Sequence, residues 1–188
     1  MCGGPGTRLD APVEKPLFEV GGRPMVDRVA TALADSRIET AHAVVSPHAP
    51  ETREHVRDDL GLPTIGTPGD GYVADLGAAL EQHDGDGPLL TVAADLPLLD
   101  GEVVDALVDD YEDRHGGEGS MAAYVPAALK RQLGVGVDGS KRTGGRELAP
   151  AGINVVGAGL DHLYLSHDAR LAVNVNRPGD ADVAEALL

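Results

Sequence analysis

The chain has 188 residues, 42% of them hydrophobic, and a formal net charge of −16. That is one domain's length, enough to bury a core, and too acidic for a general nucleic-acid binder, which needs a basic stripe for phosphates. No apolar run approaches the roughly 18 residues of a membrane helix, no charged-then-apolar leader is expected at the start, and the single cysteine, Cys2, excludes an intramolecular disulfide and a cysteine zinc cage, so a reducing cytoplasm is the expected compartment.

The chain opens on Gly3-Gly4-Pro5-Gly6-Thr7-Arg8, with three glycines in four positions. Such a run turns with positive φ and lets backbone amides form a concave anion site. Arg8 and Lys15 add two positive charges beside it, and Glu14-Lys15-Pro16-Leu17 follows closely. Amides plus Arg and Lys at this spacing suit a triphosphate. It is not a Walker loop, because no Gly-Lys-Ser/Thr follows Gly6, and Leu9 stands where a dinucleotide fingerprint wants a third small residue.

Residues 20–24, Val-Gly-Gly-Arg-Pro, read as a turn into a helix whose apolar face carries Met25, Val26, Val29 and Leu33. A short buried strand is expected at 41–46, a charged helix at 51–60 closed by Gly61, and a brief strand at 64–65. A second glycine-rich loop, 66–71, leads into a helix with Tyr72, Val73, Leu76, Ala79 and Leu80 on one side. A loop after a strand end in a parallel sheet is where ligands bind; the same loop also serves as a plain strand-to-helix turn with Asp70 as N-cap.

The most apolar strand spans 88–94 and ends at Asp95, and Val103, Val104, Leu107, Val108 and Tyr111 then follow helical spacing. Strands are further expected at 121–125, 149–156 and 171–176, with a closing helix at 178–188. The stretch 130–146 is polar and glycine-rich without a period, either a mobile cover or a passive loop. This alternation predicts a single α/β domain over 1–188, with a mainly parallel sheet flanked by helices.

A carboxylate ending the most buried strand is costly unless paired or metal-bound, so Asp95 is the candidate ligand for a metal, with capping of the next turn as the other use. Asn174 and Asn176 lie two apart in an expected strand and so share a face. Neutral amides bind Mg²⁺ less strongly than a carboxylate, which leaves them to orient phosphate or substrate, or to tie down the strand end. The seven histidines show no metal-helix spacing, and no Gly-x-Ser-x-Gly elbow occurs.

The opening loop with Glu14-Lys15-Pro16-Leu17 resembles the signature of nucleotidyltransferases of the glycosyltransferase-A-like, Rossmann-like fold. Gly69-x-Gly71-Tyr72-x-x-Asp75-Leu76 and Pro150-Ala151-Gly152-Ile153-Asn154-Val155-Val156 narrow this to the archaeal GTP:adenosylcobinamide-phosphate guanylyltransferases, a MobA-like group, over almost the whole chain. The resemblance implies GTP and a phosphorylated corrinoid as substrates, and Mg²⁺ at Asp95. It implies a triphosphate held by Arg8 and Lys15 and cradled by the backbone of Gly3, Gly4, Gly6 and Thr7. It further suggests Thr67, Asp70 and Tyr72 for the guanosine end, Gly152 for close approach of substrate or nucleotide, and Asn174 and Asn176 near the metal and the α-phosphate. A molybdenum-cofactor guanylyltransferase, a sugar- or alditol-phosphate nucleotidyltransferase and a non-catalytic GTP-binding regulator are the other readings.

Two departures stand out. Pro5 removes one amide donor from the loop. Relatives also begin with an apolar strand that delivers the loop, whereas only Met1 and Cys2 precede Gly3, so the expectation is a truncated central strand. The cations are unevenly chosen too, with lysine only at 15, 130 and 141 against twelve arginines. Together with the acidity, this suits a high-salt cytoplasm, where screening tames self-repulsion.

Overall fold

The computed structural model describes residues 1–2, 8–83, 85 and 87–188. The opening glycine loop, 3–7, lies outside the described residues. A one-turn 3-10 helix, Lys15–Leu17, leads to the hairpin β1 (Glu19–Val20) and β2 (Arg23–Pro24). Gly21 and Gly22 turn that hairpin with φ of 59° and 70°, the left-handed pair a two-residue turn requires. Helix α1 (Met25–Ala34) follows and buries Met25, Val26 and Val29 as the spacing predicts, with Ala32 as the fourth buried residue and the expected Leu33 only partly buried.

Next come β3 (Ala43–Val45), α2 (Pro50–Asp58), β4 (Thr64–Gly66), α3 (Tyr72–Glu81) and β5 (Leu89–Val92). Helix α4 (Gly101–His115) starts on Asp100, whose carboxylate accepts from the amide of Val103 at 3.0 Å, and ends at left-handed Gly116. Then follow β6 (Ser120–Pro126), α5 (Ala127–Leu133), β7 (Lys141–Thr143), β8 (Arg146–Val156), β9 (Asp161–Leu165), α6 (Ala169–Ala172) and α7 (Pro178–Ala186).

Strands β3 and β4 pair in parallel. Strand β8 runs antiparallel to both β5 and β6, so those two point the same way, and β9 joins β6 in parallel. The result is the expected α/β layering with a mainly parallel sheet, interrupted by β8. Met1 and Cys2 stitch the two parts together: the Met1 amino group donates to Val92 O (2.8 Å), Ala94 N to Met1 O (3.2 Å), and Cys2 N to Val44 O (2.8 Å). Beyond that seam, between β3 and β5 and beneath α1 and α3, lies an apolar cavity of about 160 Å³ lined by Val29, Leu33, Val44, Leu76, Leu80 and Leu90 among others.

The largest core cluster joins Val29 and Ala32 of α1 to Val103, Val104 and Leu107 of α4 and to the buried row Ala149, Ala151, Ile153 and Val155 of β8. Burying such side chains contributes about 25 cal/mol per Å² of apolar surface, the main favourable term for the fold. Among the described residues no helix is long and apolar enough to cross a membrane.

Two expectations need correction. Residues 171–176 are not a strand: Leu171 and Ala172 end α6, and the segment beyond runs extended without joining a sheet. Leu171, Ala172, Val173 and Val175 are all buried in the core, Val173 and Val175 alternating with Asn174 and Asn176, while the amide of Val175 donates to Asp95 O at 3.0 Å. The stretch 130–146, without sequence period, contains the end of α5 and β7, and β9 had no counterpart in the reading.

Candidate active site

Lys15 and Asp95 are brought together by their two supports. Glu14 places the first: its carboxylate accepts from the amides of Glu51 (2.9 Å) and Thr52 (2.7 Å) in the first turn of α2, where the helix leaves its N–H groups free. With Pro16 buried, the 3-10 turn is pinned and Lys15 points inward. Asp95 follows β5, its backbone held by Ala93 N to Gly152 O (2.8 Å) and Val175 N to Asp95 O (3.0 Å).

The Lys15 ammonium lies 2.6 Å from Asp95 Oδ2 and donates also to Asn176 Oδ1 at 2.7 Å. Asn174 Nδ2 donates to Asp95 Oδ1 and to Ala151 O, each at 3.1 Å. The lysine and aspartate side chains are 16% and 17% exposed, so the pair is mostly desolvated yet open to a cavity. That cavity, of about 260 Å³, is lined by Lys15, Gly69, Gly71, Tyr72, Asp75 and Asp95 among others. A single space therefore joins the strand-end carboxylate, the lysine and the second glycine loop.

The second loop has its own latch. Gly69 and Gly71 adopt φ of 84° and 108°, and buried Asp75 accepts from Gly69 N at 2.8 Å. Tyr72 is half-exposed, its hydroxyl 3.4 Å from both Thr91 Oγ1 and Asn154 Nδ2. Thr67 is buried with its amide on Val45 O, and Asp70 is exposed and caps nothing, since Gly71 occupies the N-cap of α3.

Arg8 is placed differently. It is exposed and pairs with Asp138 at 2.8 Å, outside the residues lining the cavity. Asp138 also accepts from Arg177. Burial alone would raise the Asp138 carboxyl's pKa, but Arg177, Arg8 and Lys15 outweigh it and hold it below its ordinary range. Gly3, Gly4, Gly6 and Thr7 lie outside the described residues. Gly152 has φ of 87°, and a Cβ there would sit 3.1 Å from Asn174 Nδ2 and 3.2 Å from Ala93 Cβ; the close approach it permits is that of Asn174 and Ala93.

Two participants escaped the sequence reading. Buried Asp180 accepts from the amides of Asn176 (3.0 Å), Arg177 (2.9 Å) and Gly136 (2.8 Å), fixing the segment that carries the two asparagines. Buried Lys130 donates to Asn174 Oδ1 (2.7 Å) and Ala172 O (2.8 Å). The available signal was scarcity, since it is one of three lysines in the chain.

The donor set suits Mg²⁺ of one kind only. Among the described residues no group of three or more His, Cys, Asp or Glu converges on one point. One carboxylate facing a cavity matches the ion held by one or two carboxylates plus substrate phosphates. The Asn174 and Asn176 oxygens are already taken by lysines.

A family model described as MobA-like NTP transferase domain matches residues 1–136. The adenosylcobinamide-phosphate guanylyltransferase of Methanocaldococcus jannaschii is 30% identical over 199 residues, covering 100% of this chain and 95% of that protein. The bifunctional protein GlmU of Micrococcus luteus is 28% identical over 72% of this chain but only 28% of its own length. Among solved structures, a putative glucose-1-phosphate thymidylyltransferase from Bacillus anthracis matches with a TM-score of 0.72 at 14% identity, covering 99% of this chain and 92% of that one. A CMP:2-keto-3-deoxy-manno-octonic acid synthetase complexed with CTP gives 0.66 at 13% identity, over 96% and 94%. At these identities the structural matches speak to the fold alone.

Proposed function

This chain belongs to the MobA-like NTP transferase domain family, and we propose that within it the protein is a guanylyltransferase moving GMP from GTP to adenosylcobinamide-phosphate. The full-length similarity to the M. jannaschii enzyme supports the substrates. The observation that carries the reading is the Lys15–Asp95 pair facing one 260 Å³ cavity with the second glycine loop.

An oxygen of the acceptor's phosphate monoester attacks the α-phosphorus of GTP. The new P–O bond forms as the α–β bridging bond breaks, and its electron pair leaves on pyrophosphate. The attacker is already anionic, so no strong general base is needed, and catalysis is alignment plus charge neutralisation. Lys15 meets the triphosphate, with Arg8 and the amides of Gly3, Gly4, Gly6 and Thr7 along its tail. Thr67, Asp70 and Tyr72 border the guanosine end, and Asn174, Asn176 and Gly152 frame Asp95. Asp95 would hold Mg²⁺ together with substrate phosphate oxygens, and the ion would supply Lewis-acid neutralisation of charge on the phosphates.

The test is pyrophosphate release from GTP with adenosylcobinamide-phosphate or molybdopterin as acceptor. Release with the corrinoid alone is expected. Release with molybdopterin alone reassigns the acceptor, and tight GTP binding without pyrophosphate from either makes the protein a regulator.

A further inference from the structure

Lys130, on α5, is 3% exposed, yet among the described residues no carboxylate lies within ion-pairing distance of its ammonium. Both oxygens it bonds are neutral: Ala172 O and Asn174 Oδ1. A buried ammonium without a counter-ion is expensive. Burial accordingly pushes the Lys130 pKa down, with the fields of Asp95, Asp180 and Asp138 pulling it partly back.

What the arrangement secures is the orientation of one amide. An asparagine side chain presents an acceptor on one side and two donors on the other, and a lysine ammonium has donors only. With Lys130 on one side, Asn174 must turn its oxygen to it and its Nδ2 away. The two Nδ2 hydrogens then meet Asp95 Oδ1 and Ala151 O, both acceptors, at 3.1 Å. Every polar position of the amide is satisfied in this orientation, and the flipped one would set oxygen against the Asp95 carboxylate and the Ala151 carbonyl. Gly152, lacking a Cβ, leaves room for the Nδ2 group 3.1 Å from where one would sit.

We propose that Lys130 is a positioning residue for nucleotidyl transfer: by fixing the Asn174 amide as a donor, it sets the rotamer in which Asp95 faces the cavity and takes up the nucleotide-bound divalent ion. This rests on the guanylyltransferase reading for its substrates, but the local claim concerns Asp95 alone. Lys130 touches neither substrate nor ion; it acts through Asn174.

The experiment compares wild type with Lys130→Met, Asn174→Leu and the double variant. Two readouts are taken: Mn²⁺ binding by electron paramagnetic resonance in the presence of a non-hydrolysable GTP analogue, and pyrophosphate release as a function of Mg²⁺. Lys130→Met is expected to weaken Mn²⁺ binding about tenfold and raise half-saturating Mg²⁺ similarly, with the GTP KM within about twofold of wild type, as loss of one oriented charge-assisted hydrogen bond implies. The double variant should be no worse than the weaker single one, because both mutations remove the same link. Unchanged Mn²⁺ binding in folded Lys130→Met, or losses that multiply in the double variant, would overturn the proposal. If Lys130→Met does not fold, Asn174→Asp keeps a partner for the lysine and replaces the donor to Asp95 by an oxygen; wild-type Mn²⁺ binding in that variant overturns it equally. Should wild type bind Mn²⁺ with nucleotide yet release no pyrophosphate, the reaction assignment fails and the Lys130 test still stands; absence of that Mn²⁺ binding in wild type sinks the Lys130 proposal itself.

Discussion

Replacing Lys15 by Met removes the cation that lies 2.6 Å from Asp95 Oδ2, while keeping much of the side-chain volume. At an effective permittivity of about 20, two unit charges at that distance attract by roughly 6 kcal/mol before desolvation is subtracted. Desolvation offsets most of this, and the partners retain some solvent access, so the stability loss falls between that of an exposed pair and the roughly 3–5 kcal/mol of a fully buried one, at about 2 kcal/mol. For a chain of this length that lowers Tm by roughly 4–8 °C. Turnover should fall much further, on the order of 10²–10³, the loss typical of one preorganised group aimed at developing charge. Circular dichroism melts and steady-state pyrophosphate release at saturating GTP separate the two effects, provided the assay runs well below the variant's Tm. A variant with lowered Tm and near-normal turnover would reduce Lys15 to a structural ion pair and refute the reasoning.

Gly152→Ala puts a Cβ on a residue at φ 87° and within 3.2 Å of both Asn174 Nδ2 and Ala93 Cβ; a loss of about 1–3 kcal/mol is expected, read as a lower midpoint in urea, and an unchanged midpoint would show that β8 relaxes there. His55 bonds Asp27 Oδ1 (2.6 Å) and Asp59 Oδ2 (2.8 Å); burial lowers its pKa, but the two carboxylates prevail and raise it above 6.5. A raised folded-state value gives stability that is complete below pH 6.5 and is lost as pH climbs through the folded pKa, so wild-type Tm should fall from pH 6 to 8.5 more steeply than that of His55→Gln, and parallel curves would refute this. With a net charge of −16, Tm should rise between roughly 0.1 and 2 M KCl as the Debye length shrinks several-fold; an unchanged melt argues against self-repulsion as a determinant.

How much was legible follows from how local each signal is. Asp95 stood out because a carboxylate ending an apolar run is anomalous wherever the strand lies. Lys15 stood out among few cations, and the structure brings it to Asp95 across eighty residues. The helices α1 and α4 showed the spacing of their buried faces. What could not be read was the traffic of hydrogen bonds. That Glu14 caps α2, that Asp180 reaches the amide of Gly136, and that Lys130 serves Asn174 all depend on residues 37 to 44 positions apart. The 171–176 segment misled for a related reason: its apolar alternation is genuine, but it reflects two buried flanks rather than a ladder partner. Asn174 and Asn176 still reach the same carboxylate–lysine pair, because an extended backbone alternates its side chains whether or not it belongs to a sheet.

The stitch at Met1 and Cys2 has a practical side. Three hydrogen bonds hold the α-amino end between β3 and β5, and the apolar cavity opens directly behind it. Any residue preceding Met1 would lie inside that slot, within reach of the edges of β3 and β5 that face each other there. A polar, glycine-rich leader would wedge the leaves apart, whereas about five β-branched residues would run on as a strand and weld them.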